Sequence, residues 1–275
     1  MRAPTPEPAD ACSIVLEAEG VTLAYDKVPV VTDLDLTITA GSFTVLIGPN
    51  ACGKSTALRG LARLLSPTGG RVLLDGRDIA TRKTREIARE LALLPQSPIT
   101  PSGVTVADLV SRGRAPYQSL LRQYSREDER AVASAMVATG VQDLADRPVD
   151  ELSGGQRQRV WIAVALAQET DILLLDEPTT YLDLAHQIEV LDLCARLHAG
   201  GRTLVVVLHD LNMAARYATE LVAFTAGRIV AQGSPRDVVT PPILSEVFGL
   251  AADVIPDPQT GTPLVVPHRP PHLAR

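Results

Sequence analysis

Cysteine is nearly missing from this chain. There are three in 275 residues, Cys12, Cys52 and Cys194. They are odd in number, far apart and in no C-x-x-C pair, which excludes a disulfide framework and a cysteine zinc site and fits a reducing cytosol. Long apolar runs are missing too. The strand-like runs Ile172–Leu175 and Leu204–Leu208 are far too short to cross a bilayer. A role at a membrane must therefore come through a partner protein. There is no excess of basic residues: the formal charge is −6, which argues against a nucleic-acid surface. Met1 to Ser13 is rich in proline and acid. It lacks the basic start and apolar core of a secretory signal, and residues 1–13 are expected to be a mobile tail. No internal repeat is visible, and low complexity is confined to the proline-rich ends. What remains is an ordinary apolar content, 45%, enough for a full core. The length suits one α/β domain with an insert, or two small lobes.

The most informative segment is Gly48-Pro49-Asn50-Ala51-Cys52-Gly53-Lys54-Ser55. It follows an apolar run, Phe43 to Ile47, and precedes a helix-forming stretch, Thr56 to Leu65. It fits the phosphate-loop pattern G-x-x-x-x-G-K-[ST] in its strand-to-helix context. Glycines let backbone N–H groups turn inward around a phosphate, and the helix start adds partial positive charge. Lys54 reaches the β- and γ-phosphates and Ser55 ligates Mg²⁺. A nucleoside triphosphate and Mg²⁺ are thus expected. Cys52, inside the loop, reads either as an alkylation-sensitive thiol or as a small filler.

Around the loop the pattern changes twice. Ile14–Tyr25 and Val30–Ile38 alternate as half-buried strands, and Arg71–Leu74 runs into the tight turn Asp75-Gly76-Arg77. The opening third is therefore strand-rich and partly antiparallel. Thr84 to Leu94 carries its charges on one side and stops at Pro95-Gln96. After Pro98 and Pro101, Val104–Arg112, Arg126–Thr139 and Val141–Ala145 read as helices. From Leu152 strands and helices alternate: helix Gln156–Gln168, strand Asp171–Leu175, helix Ala185–His198, strand Thr203–Leu208, helix Leu211–Ala218. A hairpin, Leu221–Thr225 with Arg228–Gln232, follows. Buried apolar strands alternating with helices indicate a mainly parallel sheet between helices.

Two further segments carry chemistry. Ile172–Leu175 ends in Asp176-Glu177. Ligands collect at the carboxyl ends of parallel strands, so Asp176 is placed to hold Mg²⁺ and Glu177 to orient and deprotonate water. Adjacent residues on a strand end point apart, which suits two roles. Leu152-Ser153-Gly154-Gly155-Gln156 puts a capping serine and two glycines at a helix start, a second anion site. One nucleotide does not need two such sites. The economical reading is that the second serves a nucleotide held by another copy.

The chain resembles the nucleotide-binding subunit of an ATP-binding-cassette (ABC) transporter. Leu152–Gln156 matches that family's LSGGQ motif without change, Gln96 the glutamine between its lobes, Leu182-Asp183 the loop after the catalytic glutamate, and His209 the switch histidine. Tyr25 sits where the family stacks an aromatic ring on adenine; on its own it also reads as a core tyrosine. The resemblance covers about residues 14 to 235. It implies an α/β P-loop NTPase (RecA-like) ABC cassette with an antiparallel β subdomain and a helical subdomain insert. The expected layout is an ATP-binding core with its β subdomain at 14–96 and 149–235, a helical subdomain at 97–148 and a C-terminal extension at 236–275, the whole cassette spanning about 14–250. It implies ATPase catalysis by Glu177, His209, Lys54 and Gln96. Gly48 to Thr56 would cradle the phosphates, with Pro49, Asn50, Ala51, Cys52 and Gly53 in the loop and Ser55, Gln96 and Asp176 at the metal. Ser153, Gly154, Gly155 and Gln156 would complete the site of a second copy, which Asp183 would bridge. Many members carry glycine at the position of Ala51. If the backbone there needs φ > 0, alanine costs about 1 kcal/mol.

Implied partners are a second copy or a paralogous ATPase, integral-membrane permease subunits, and indirectly an extracytoplasmic substrate-binding protein, with no nucleic acid. The expected location is the cytoplasmic face of the membrane, as a peripheral subunit. Val104, Val106, Leu109 and Tyr117 either line the permease-docking groove or form the core of the insert. Several softer segments resemble the branch that imports ferric siderophores, haem and cobalamin: Arg112-Gly113-Arg114-Ala115-Pro116-Tyr117, Pro178–Asp183, Leu208–Asn212, Ala231–Pro235, and Asp257-Pro258 with Gly261–Leu264. Ferric siderophore is the favoured cargo, with haem or cobalamin as the alternative. A soluble ABC ATPase of DNA repair or translation would need a long coiled coil or two cassettes, and neither is present. A non-hydrolysing nucleotide-binding regulator is disfavoured by Glu177 and His209 together.

Overall fold

Two long strands, β1 (Ile14–Tyr25) and β2 (Val28–Thr39), form an antiparallel hairpin. Asp26 and Lys27 make its turn with φ of 47° and 68°, the left-handed pair whose twist matches that of the flanking strands. No glycine marks that turn, so the sequence places the second strand two residues late. The computed structural model describes residues 13–99, 102–118 and 124–268. Of the expected 1–13 tail only Ser13 falls inside this range, and Cys12, Pro101 and residues 119–123 of the insert lie outside the described residues.

β3 (Phe43–Ile47) is buried along its length and feeds the glycine-rich loop and α1 (Lys54–Leu61). α1 starts two residues before Thr56 and ends four before Leu65, where Arg63 turns left-handed at φ 56°. β4 (Gly69–Leu74) and β5 (Arg77–Asp78) complete an antiparallel sheet of order β2-β1-β4-β5. Thr84–Leu94 is not one element: a single turn, α2 (Thr84–Ile87), precedes a strand, β6 (Leu91–Leu94). A four-residue apolar run has no period that separates strand from helix. Parallel pairing with residues 172–175 decides it.

In the insert, α3 (Val106–Ser111) continues into a 3-10 turn at 112–117, and α4 (Arg126–Ala138) begins with a capping box between Ser125 and Asp128. The expected helix Val141–Ala145 is a 3-10 turn over Gln142–Leu144. Gly113 lies so close to the helix Gly154–Ala167 that a Cβ there would meet the Val164 carbonyl oxygen at 2.3 Å. Next to it Arg114, 3% exposed, bonds Asp128 at 2.8 Å, the Ala167 carbonyl at 2.8 Å and Glu169 at 2.7 Å. Val106 and Leu109 are buried in the core, which decides for the second of the two readings given for them. Tyr117 lies beneath the Arg114 guanidinium, 3.9 Å from its ring centroid.

α5 (Gly154–Ala167), β7 (Ile172–Asp176), α6 (Leu184–Ala199), β8 (Thr203–Val207), α7 (Leu211–Tyr217), β9 (Glu220–Thr225) and β10 (Arg228–Gly233) complete the central layer. Its sheet runs β10-β9-β3-β8-β7-β6, parallel except at the β9–β10 hairpin. Alternate residues of the buried strands enter two cores. Phe43, Val45, Leu173, Leu175, Leu204 and Val206 pack in the core shared with α5 and α6. Leu46, Leu174, Val205 and Val207 pack with α1 and the antiparallel sheet. Burial of both faces is why these strands read as continuous apolar runs.

Beyond the hairpin the sequence reading assigned no elements. α8 (Pro235–Val238), α9 (Pro241–Phe248) and the hairpin β11 (Ala252–Pro256)–β12 (Pro263–Pro267) occupy this region. The hairpin is fastened to α7. Val265 donates its backbone N–H to Asn212 Oδ1 at 2.8 Å, and Arg216 pairs with Asp257 at 2.8 Å. Asp257 also accepts from the Gln259 and Thr260 N–H groups, which accounts for the Asp257–Leu264 tail segment as a turn.

Candidate nucleotide site

Four neighbouring strands, β3, β8, β7 and β6, deliver the candidate residues at their carboxyl ends. β3 runs into the loop Gly48–Ser55, β8 leads to His209, β7 ends at Asp176-Glu177, and β6 is followed by Gln96. Parallel strands put all four ends on one edge, where ligands bind in open α/β sheets. A cavity of about 650 Å³ opens there, lined by Val30, loop residues 50–56, Gln96, Glu177, Thr180, Tyr181 and His209.

The loop conformation demands its glycines. Gly48 has φ 151°, and a Cβ there would meet the Phe224 carbonyl oxygen at 2.3 Å. Gly53 caps α1 with φ 107°. Ala51 is left-handed at φ 60°, so the backbone condition raised from the sequence is met by a residue with a Cβ. Lys54 is buried and donates to the Gly48 and Pro49 carbonyls at 2.9 and 2.8 Å, with Cys52 Sγ at 3.7 Å. Thr56 is buried behind it in the first turn of α1.

At the end of β7 the buried Asp176 accepts from Ser55 Oγ at 2.7 Å. Burial pushes its carboxyl above the usual range, partly offset by that hydrogen bond. Glu177 turns the other way, at φ 51°. Gln96 Nε2 donates to its Oε2 at 2.6 Å, Thr180 Oγ1 to the same oxygen at 2.9 Å, and His209 Nε2 lies 2.7 Å from Oε1. Burial alone would raise this carboxyl, but the bonds from His209, Thr180 and Gln96 outweigh it and hold it below the usual glutamate range. Asp210, not His209, caps α7, accepting from the Asn212 and Met213 N–H groups.

Tyr25 is 40% exposed, its ring outside the core, and its hydroxyl accepts from Arg59 at 3.1 Å. Ser153, Gly154, Gly155, Gln156 and Asp183 do not line this cavity. Ser153 and Gln156 close a reciprocal capping box at the start of α5. Asp183 caps α6, accepting from the His186 N–H at 2.9 Å. Thr180 and Tyr181 were given no site role and appeared only within the branch segment Pro178–Asp183, and His186 was not singled out. Thr180 had one faint signal, a hydroxyl three residues after a strand-end carboxylate; it closes a turn on Glu177 with its own N–H, 3.2 Å from the Glu177 carbonyl.

A phosphate loop leading into a helix, facing an acidic strand end and a histidine, defines a P-loop nucleoside triphosphatase. Residues 31–180 match the sequence model of the ABC transporter family, and the chain belongs to that family. It is 56% identical over 254 residues to a protein named for siderophore transport, the ATP-binding protein YusV of Bacillus subtilis (strain 168), with 92% of each chain covered. It is 53% identical over 253 residues to the ferric enterobactin transport ATP-binding protein FepC of Escherichia coli (strain K12), covering 92% of this chain and 93% of that one. Among solved structures, a chain of a metal-chelate type ABC transporter in an inward-facing conformation superposes with TM-score 0.80 at 27% identity, over 93% of this chain and 98% of that chain. The chain is an ATP-hydrolysing subunit of an ABC transporter.

Proposed function

We propose that this chain energises the import of ferric siderophores, acting as two copies beneath integral permease subunits at the cytoplasmic face of the membrane. The observation that carries the reading is the convergence of Gln96, Thr180 and His209 on Glu177, beside the Ser55–Asp176 pair. The cargo reading is supported by the relatives named for siderophore and ferric enterobactin transport. No helix of the described residues is long and apolar enough to cross a membrane, so force must pass to a separate permease. In this reading residues 14–96 and 149–235 bind ATP, 97–148 transmit movement to the permease, and 236–275 form the C-terminal extension. An extracytoplasmic binding protein would deliver the chelate, and nucleic acid has no part.

The roles follow from the chemistry of each group. Tyr25 offers a ring to adenine, steadied by Arg59. Loop residues Gly48 to Thr56 hold the phosphates, and Lys54 exchanges its loop carbonyls for phosphate oxygens. Mg²⁺ fits the Ser55 hydroxyl and Asp176 carboxylate, two hard oxygen donors 2.7 Å apart, with Gln96 lining the same cavity as Ser55. When bound, the ion supplies charge neutralisation for the transferring phosphoryl group. Glu177, held ionised, takes the proton of the attacking water, and His209 fixes its orientation. Ser153 to Gln156 present a helix start, and Asp183 a carboxylate, to the nucleotide of the second copy.

In a complex reconstituted with its permease, Glu177→Gln should retain ATP binding and lose roughly a hundred- to a thousand-fold in turnover. Turnover equal to the parent would overturn the assignment of the base. A deletion strain should lose uptake of labelled ferric siderophores; loss of haem uptake alone would move the cargo to haem.

A further inference from the structure

The starts of α5 and α6 meet at one side chain that the roles above leave unused. His186 lies against Gly155: a Cβ built on Gly155 would stand 2.5 Å from His186 Cδ2 and 2.9 Å from Cγ. Any side chain at Gly155 would force the ring to shift. On its other side the same imidazole reaches Asp183, with Nδ1 2.7 Å from Oδ1. The His186 backbone N–H donates to that same oxygen at 2.9 Å. Further along the two helices Arg159 pairs with Glu189. One residue thus touches both the Ser153–Gln156 helix start and the Asp183 carboxylate.

Asp183 has reason to need holding. Its side chain is 67% exposed and that of His186 39%, so apart from these bonds water would let the carboxylate sample several rotamers. A carboxylate that must meet a second copy is more effective already ordered. Its carboxyl lies below the usual range, first through the His186 N–H and then through the imidazole.

We propose that His186 is a positioning residue, which locks Asp183 against the Ser153–Gln156 helix start and presents the two as one block to the opposing copy. This rests on the reading that the second copy completes the site. Because His186 reaches the nucleotide only through Asp183 and Gly155, its loss should slow turnover without weakening the first capture of ATP.

The test uses the full transporter reconstituted with its permease. His186→Phe keeps a ring over Gly155 and removes the bond to Asp183; kcat should fall about ten-fold with KM for ATP within about two-fold of the parent. His186→Asn places Nδ2 where Nδ1 stood and should return kcat to within about three-fold of the parent, while His186→Ala should not. Thermal melting of each variant separates misfolding from mispositioning, and the Asn-against-Ala comparison carries the test if Phe melts early. Parental kcat in His186→Phe, or His186→Asn no better than His186→Ala, overturns the proposal. Ser153→Arg is the control. Parental turnover there removes the shared site and this proposal with it; loss there with full activity in His186→Phe removes the proposal alone.

Discussion

Ala51 stands where the phosphate loop turns left-handed, at φ 60°. An L-residue in that region is disfavoured by about 1–2 kcal/mol. Glycine relieves this but loses roughly 0.5–1 kcal/mol through its freer unfolded chain. The Ala51 side chain is exposed, so no packing is lost. Ala51→Gly should therefore stabilise the protein by about 0.5–1 kcal/mol, read as a higher urea midpoint, with ATP affinity unchanged. A lower midpoint would show that the methyl group contributes elsewhere. Glu177 is also left-handed, at φ 51°, and three side chains hold it there. Strain of this kind persists where the surroundings over-determine it. At this scale Lys54 and Glu177 were legible because a phosphate loop and a strand-end acidic pair are local patterns, and His209 was legible through the family resemblance. Thr180 was not, because a threonine in a turn has many uses.

Elements were legible where a period or a breaker marked them. α4 and α5 are within two residues of their expected bounds at each end, since both carry serine caps and long helical patterns. β6 and the hairpin β11–β12 were not legible, because their strands are short and their pairing partners decide them. The Gly113-Arg114 segment was noticed only through a branch resemblance. Its physical content is a close helix approach and a buried ion pair, with Asp128 at 0% and Arg114 at 3% exposure. Removing one partner of such a pair leaves a buried charge. Arg114→Met should cost about 3–5 kcal/mol in urea denaturation. Burial would raise the Asp128 carboxyl, but the bonds from Arg114 and Ser125 outweigh it and hold it below the usual range. A depressed carboxyl contributes stability that is present above the ordinary aspartate range and lost as pH falls through the folded value. The parent should lose stability on acidification, and Arg114→Met should lose less of it. An equal loss in both would place the acid sensitivity elsewhere.

For the whole molecule, binding of ATP to the folded state alone couples affinity to stability. Nucleotide at a hundred times its Kd adds about 2.7 kcal/mol. Melting curves with and without Mg-ATP should show that gain in the parent and lose it in Lys54→Ala. A full shift in Lys54→Ala would count against the loop as the site of capture. The sequence alone determined the class, because the phosphate loop, the acidic strand end and the LSGGQ helix start each need particular residue types at fixed local spacing. It also determined the two-faced burial of the parallel sheet, since apolar runs cannot lie at a surface. Tertiary structure alone decided what converges on Glu177, which brings together residues 96, 177, 180 and 209 from three strand ends. It likewise decided how the tail anchors on α7 and that His186 joins Asp183 to Gly155. Such contacts are set by the order of strands and helices in space, and local sequence carries no record of that order.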